Sequence, residues 1–106
     1  MAGQVRASHI LLMYAGSERS SATRSQDEAK QQIEEVKQKI EGGEDFAAVA
    51  KQSSDCPSSS DGGDLGSFGA GMMVKAFEDA AFGLEVNAMS GVVETPFGYH
   101  LIRRTA

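Results

Sequence analysis

"SGVVETPFGYHLIRRT", Ser90 to Thr105, is the stretch whose reading decides the fold. Two runs rich in aliphatic, aromatic and β-branched residues, Ser90–Thr95 and Phe97–Thr105, flank the turn sequence "TPFG". Proline followed by Phe-Gly suits a tight turn, so the chain closes on a hairpin whose two strands run antiparallel. The second strand carries His100 among apolar neighbours. The only other histidine, His9, lies in "SHILL" (Ser8–Leu12), within "QVRASHILLMY" (Gln4–Tyr14), which also reads as a strand. Side chains alternate across a strand, so His9 shares a face with Leu11, and His100 with Ile102. If the terminal strands lie side by side, the two imidazoles meet as a cross-strand pair, one ring nitrogen donating and the other accepting. The residues alone equally allow two unrelated histidines, each satisfied by backbone or water.

Helical signals fill the middle of the chain. After a small, polar loop (Ala15–Ser25), Ser25 and Glu28 form a capping-box pattern. Ala29, Ile33, Val36 and Ile40 then recur at helical spacing as one apolar stripe, and Glu35 and Lys39 form an i,i+4 pair on the wet side. Gly42-Gly43 stops this helix. Phe46, Val49 and Ala50 predict a second, shorter helix with Asp45 at its positive end. Turn formers occupy Ser53–Asp64, and "DLGSF" is a short extended piece. A third helix is predicted from about Val74 to Phe82, with Phe77, Ala81 and Leu84 on its inner face. The order of elements points to an α+β domain spanning residues 1–106: a small, largely antiparallel four-stranded sheet surrounded by about three to four helices.

Composition removes several function classes. The chain has 106 residues, 41% hydrophobic and 24% charged, which suits one globular domain. Its net charge is −5 and no stripe of Lys or Arg appears, so it lacks the electrostatic footprint for nucleic acid or an anionic membrane surface. No apolar run approaches the ~20 residues of a membrane span, and no signal peptide is visible. One cysteine, Cys56, makes no internal disulfide, and with two histidines it makes a poor zinc set. A reducing, cytoplasmic setting and a monomer are expected, although the chain could equally be one domain of a longer exported protein.

"SHILL", "GGDLGSF", "GMMVKAFEDAAFGL" and "FGYHLI" occur in that order, and the whole stretch from Val5 onward resembles the parvulin family of peptidyl-prolyl cis/trans isomerases. With "SSDC" before the glycines, it looks most like the branch containing the eukaryotic phosphoserine/threonine-proline isomerases. The resemblance implies an enzyme that turns X–Pro bonds in proline-containing peptides or partly folded proteins, with neither metal nor cofactor. It implies that Leu65, Met73 and Phe77 line the pocket for the proline ring and that His9 and His100 are the family's paired histidines, orienting the site as neutral rings. It places Cys56 beside the substrate carbonyl, Thr95 in the histidines' hydrogen-bond network and Phe97 at the pocket wall. The four-residue spacing of Met73 and Phe77 suits a plain core helix as well, and Cys56 read alone suits a small buried thiol. Phe82 is assigned to the core.

This sequence departs from the phosphate-selective relatives. Their basic cluster falls here on Met13, Glu18 and Arg19, while Asp61 and Ala70 replace common basic residues and Ala76 a common proline. No strong preference for a phosphorylated or acidic residue before proline is expected, with Arg19 and Arg24 the positive charges that could restore one. The absence of tryptophan excludes a WW module within these residues. The alternative to an isomerase is a non-catalytic chaperone module that holds proline peptides. A thiol hydrolase built on Cys56 finds no glycine-flanked nucleophile turn to support it.

Overall fold

A computed structural model of the chain describes residues 4–17, 22–55, 59, 61–69, 71 and 73–106. Seven elements follow one another: β1 (Gln4–Leu12), α1 (Gln26–Glu41), α2 (Phe46–Ser53), β2 (Asp64–Gly69), α3 (Lys75–Gly83), β3 (Val93–Thr95) and β4 (Gly98–Arg104). The sheet has four strands in the order β2-β1-β4-β3, and every pairing is antiparallel. The two ends of the sequence therefore meet at its centre. Six residues of β1, Ala7 to Leu12, run against Arg104 to Tyr99 of β4. These are the most apolar strands, and a central strand with both faces covered is the place where such a run loses most contact with water.

Strand alternation sorts the core into two layers. Ile10 and Leu12 of β1, with Tyr99 and Leu101 of β4, face α1 and α2 and pack on Ala29, Ile33, Val36, Ile40, Phe46, Val49 and Ala50. The stripe read from α1 is thus its buried face. Val5, Ala7 and Ile102 point the other way, where Phe68 joins Phe77 and Ala81 of α3. The caps are those the residues predict. The Ser25 hydroxyl accepts from the Glu28 N–H at 3.1 Å, and the Glu28 carboxylate accepts from the Ser25 N–H at 2.9 Å. The Asp45 carboxylate caps α2 through the Ala48 N–H, and Gly43, at φ 113°, takes the left-handed step after α1.

Four boundaries differ from the sequence reading. β1 stops at Leu12, because Met13 is met by side chains instead of a strand. The stretch Ser90–Thr95 contributes only Val93–Thr95 as β3. Ser90 is held earlier and differently: its N–H donates to the Ile102 carbonyl, and its hydroxyl accepts from the Ile102 N–H. β4 runs from Gly98 to Arg104, giving Phe97 to the turn. α3 begins at Lys75 and ends at Gly83, leaving Leu84 as its C-cap, still packed against the Phe77 layer.

Candidate active site

The pairing of β1 with β4 sets His9 opposite Ile102 and His100 opposite Leu11. The two imidazoles are thus diagonal neighbours on one face, not a directly opposed pair. The diagonal offset lets the rings lie nearly parallel, with centroids 5.3 Å apart at 24°. Their Nδ1 atoms are 3.1 Å apart. Such a contact holds one proton: one nitrogen donates and the other accepts.

The turn "TPFG" adds the next link. Thr95 ends β3 and Gly98 opens β4, and the two residues pair across the turn. Gly98 sits at φ 143°, and a Cβ there would fall 2.4 Å from the Leu12 carbonyl oxygen, so this close passage of β4 over β1 requires glycine. Thr95 Oγ1 lies 2.7 Å from His100 Nε2 and accepts the Phe97 N–H at 3.2 Å. Two tautomer arrangements satisfy this chain: either the Thr95 hydroxyl donates to His100 Nε2 and His100 Nδ1–H donates to His9 Nδ1, or His9 Nδ1–H donates to His100 Nδ1 and His100 Nε2–H donates to Thr95 Oγ1. In both, His9 Nε2 is buried and without a hydrogen-bond partner among the described residues.

Phe77 of α3 closes the other side. It meets both imidazoles edge-on, at 5.4 Å and 80° from His9 and 5.4 Å and 78° from His100. Its ring is buried, while Leu65 of β2 and Met73, ahead of α3, are half-buried beside the same layer. Phe82 packs in this layer as well, its ring 6.2 Å from Phe68. Phe77 is therefore core and site wall at once. Burial holds both imidazoles neutral. The pKa of His9 is pushed down to about 4 by desolvation, and that of His100 to about 3 by desolvation and then by its neighbour His9. A buried, neutral, hydrogen-bonded pair is a rigid support and a poor proton shuttle at pH 7.

Of the residues singled out from sequence, His9, His100, Thr95 and Phe77 are brought into direct contact. Leu65 and Met73 adjoin them, and Phe97 joins through its backbone N–H. Cys56, Glu18, Arg19 and Ala70 lie outside the described residues. Met13 stands at the end of β1, and Asp61 is exposed, in a hollow shared with Arg6 and Asp64. Sequence reasoning missed the groups that bind the free edge of β1: Ser54, Asp55 and Arg24. "SSDC" drew attention to two of them, but nothing local names their partners.

The whole chain, residues 1–106, matches the family model described as the PPIC-type PPIASE domain. It is 41% identical over 114 residues to the peptidyl-prolyl cis-trans isomerase Pin1 of Arabidopsis thaliana, covering 97% of this chain and 96% of that protein. It is 48% identical over 103 residues to the foldase protein PrsA of a Geobacillus strain (WCH70), covering 96% of this chain but only 32% of that longer protein. Among solved structures, the peptidyl-prolyl isomerase ESS1 from Candida albicans superimposes with a TM-score of 0.92 at 36% identity, over 98% of this chain and 63% of that one. A diagonal histidine pair braced by a threonine and an α3 phenylalanine, on an antiparallel sheet of order 2-1-4-3, thus stands in a chain that belongs to the PPIC-type family of peptidyl-prolyl cis/trans isomerases, the parvulins.

Proposed function

We propose that the chain catalyses noncovalent rotation about X–Pro bonds in peptides and partly folded proteins, without a strong demand for a phosphorylated residue before proline. The observation that carries this reading is the neutral His9–His100–Thr95 network set against Phe77, with Leu65 and Met73 alongside. Resonance holds an X–Pro amide planar behind a barrier of ~18–20 kcal/mol. Twisting it breaks no bond. The enzyme has only to hold the pyrrolidine ring and favour the twisted amide over both planar forms, and a thousandfold gain needs about 4 kcal/mol of such differential binding. In this reading Leu65, Met73 and Phe77 hold the ring and Phe97 walls it. Thr95, His100 and His9 fix the site's geometry, and the Cys56 thiol acts on the twisting carbonyl through its field and not as a nucleophile.

The proposed indifference to phosphate rests on the described cations. Arg24 is engaged by the Asp55 carboxylate and the Met13 carbonyl, so its charge is already balanced. Met13 is uncharged and Asp61 is acidic, so a phosphate of about −2 charge finds little to pair with there. A role in assisting protein folding fits the foldase name of one relative. A reducing compartment and a monomeric state belong to the same proposal.

The test is a panel of proline peptides with varied preceding residues, phosphoserine and glutamate among them, read by NMR exchange between cis and trans. Catalysed exchange is expected for the neutral peptides, with the phosphoserine peptide gaining less than about tenfold in kcat/KM, or under ~1.4 kcal/mol. Binding without exchange would replace this reading by the chaperone module. In the same assay Cys56→Asp is expected to keep appreciable activity, since an anionic oxygen still presents a field to the carbonyl. Complete inactivation of a correctly folded Cys56→Asp protein would count against the noncovalent account.

A further inference from the structure

Phe68 of β2 stands opposite Val5 of β1, and both belong to the layer of Phe77. Side chains alternate along a strand, so Leu65, three residues before Phe68, belongs by alternation to the other face of the sheet. It packs instead against the same layer as Phe68. The register explains how. Ser67 pairs with Arg6, and Asp64 pairs with Ser8, so Leu65 and Gly66 together oppose Ala7 alone. The extra residue makes a β-bulge in β2, and a slip of one residue sends every side chain beyond it to the opposite face.

The slip moves two side chains at once. Continued without a bulge, the pairing of Ser67 with Arg6 would set Leu65 opposite Ser8 and Asp64 opposite His9. Leu65 would then leave the layer of Phe77, and a carboxylate would enter the face that carries the histidine pair. With the bulge, Leu65 joins Phe77, and Asp64 turns to the other face, beside Arg6. There the carboxylate is bonded twice. Oδ2 accepts from Arg6 Nη2 at 2.5 Å, and Oδ1 accepts from the Gly66 N–H at 2.9 Å. The second bond satisfies a backbone donor inside the bulge itself. Gly66 sits at φ 72°, in the left-handed region, yet a Cβ built there meets nothing within 4 Å. The position has room for a side chain and requires glycine for its backbone conformation alone.

We propose that Asp64 and Gly66 are positioning residues, holding the bulge in β2 that turns Leu65 into the proline-ring pocket and keeps the Asp64 carboxylate off the histidine face. The proposal rests on the isomerase reading above and deepens it. Bulges are enriched beside active sites, where they re-aim a side chain. Arg6 braces the carboxylate from outside. Its side chain is 53% exposed and that of Asp64 32%, so the ion pair contributes little alone. The weight falls on the bond from Asp64 to Gly66 and on the conformation of the glycine.

The experiment compares Gly66→Val and Asp64→Ala with Gly66→Asn and Asp64→Asn, each at a temperature where circular dichroism shows it fully folded. Proline-peptide exchange gives kcat and KM, and NOEs from the Leu65 methyl groups report which face they occupy. Valine resists a positive φ, and alanine removes the acceptor for the Gly66 N–H. Both variants are expected to raise KM about tenfold while kcat stays within about threefold, and to lose the Leu65 NOEs to Ala7 and Phe77. Asparagine tolerates the left-handed region at 66 and keeps an acceptor at 64, so both asparagine variants should retain the NOEs and most of the affinity. A merely stabilising bulge would lower the melting temperature of Gly66→Val and Asp64→Ala and leave KM and the NOEs unchanged. That result, or equal losses in the asparagine variants, overturns the proposal. The NOEs need no catalysis, so the two readings separate: absent exchange in the wild type overturns the isomerase reading, whereas intact wild-type exchange with Leu65 unmoved in the valine and alanine variants overturns the bulge alone.

Discussion

Phe77→Ala is expected to lose about 3–5 kcal/mol of folding stability, the usual range for truncating a buried phenylalanine. The ring is only 3% exposed. It packs on Phe68 at 5.9 Å and stands edge-on to both His9 and His100. Removing it opens a cavity and frees two imidazoles at the same time. A domain's total stability is only about 5–15 kcal/mol, so the alanine variant sits near the edge of unfolding, and Phe77→Leu is the variant for kinetics. Phe77→Leu should lower kcat/KM by roughly tenfold or more, the equivalent of about 1.4 kcal/mol of lost ring contact. A rise in KM would assign the loss to grip on the pyrrolidine, and a fall in kcat to slackened histidines. Urea midpoints provide the first number. An alanine variant as stable as the wild type would remove Phe77 from the core and take the support of the histidine pair with it.

Acid should unfold this protein in the window set by its two histidines. Folded, their pKa values lie at about 4 and about 3; unfolded, both return to about 6.5. The unfolded chain therefore binds protons first as the pH falls. The stability tied to their neutrality is complete above about pH 6.5 and is lost progressively below it, until the folded pKa values are reached. Each histidine contributes a slope of up to about 1.4 kcal/mol per pH unit, so the pair removes several kcal/mol between pH 6.5 and pH 4. Asp64, held low by its hydrogen bonds from Arg6 and from the Gly66 N–H, and Glu28, held low by its bonds to Ser25, extend the same trend at more acidic pH. Urea midpoints measured from pH 7 to pH 4 should fall steeply. In the folded protein neither imidazole should titrate above pH 5 by proton NMR. A ring that titrates near 6.5 while the fold is intact would show that the pair is not sealed from water. Activity between pH 6.5 and 8 should carry no histidine step.

Much of the architecture was legible because it depends on local periodicity. The apolar stripe of α1, the Ser25–Glu28 box, the Asp45 cap and the closing hairpin each need only a few consecutive residues to be recognised. The reading erred where a distant group supplied the bond. Met13 looks like more strand, but Asp55 and Arg24 occupy its edge. Ser90–Val92 looks like more hairpin, but Ser90 bonds to Ile102 from outside β3. Phe77 could be read as core or as pocket, and contact with two imidazoles makes it both.

The sequence by itself determined the two apolar strands that carry His9 and His100 and the helices between them, since these follow from side-chain alternation and helical spacing; the family was legible only as a resemblance carried by the order of motifs. Only the tertiary structure decided that the first and last strands are neighbours, that the imidazoles meet on a diagonal through their Nδ1 atoms, and that a carboxylate and a guanidinium complete the edge of β1. Those outcomes turn on register and on contacts between residues as distant in the chain as Ala7 and Arg104. No local pattern encodes which donor will face which acceptor once the chain has closed.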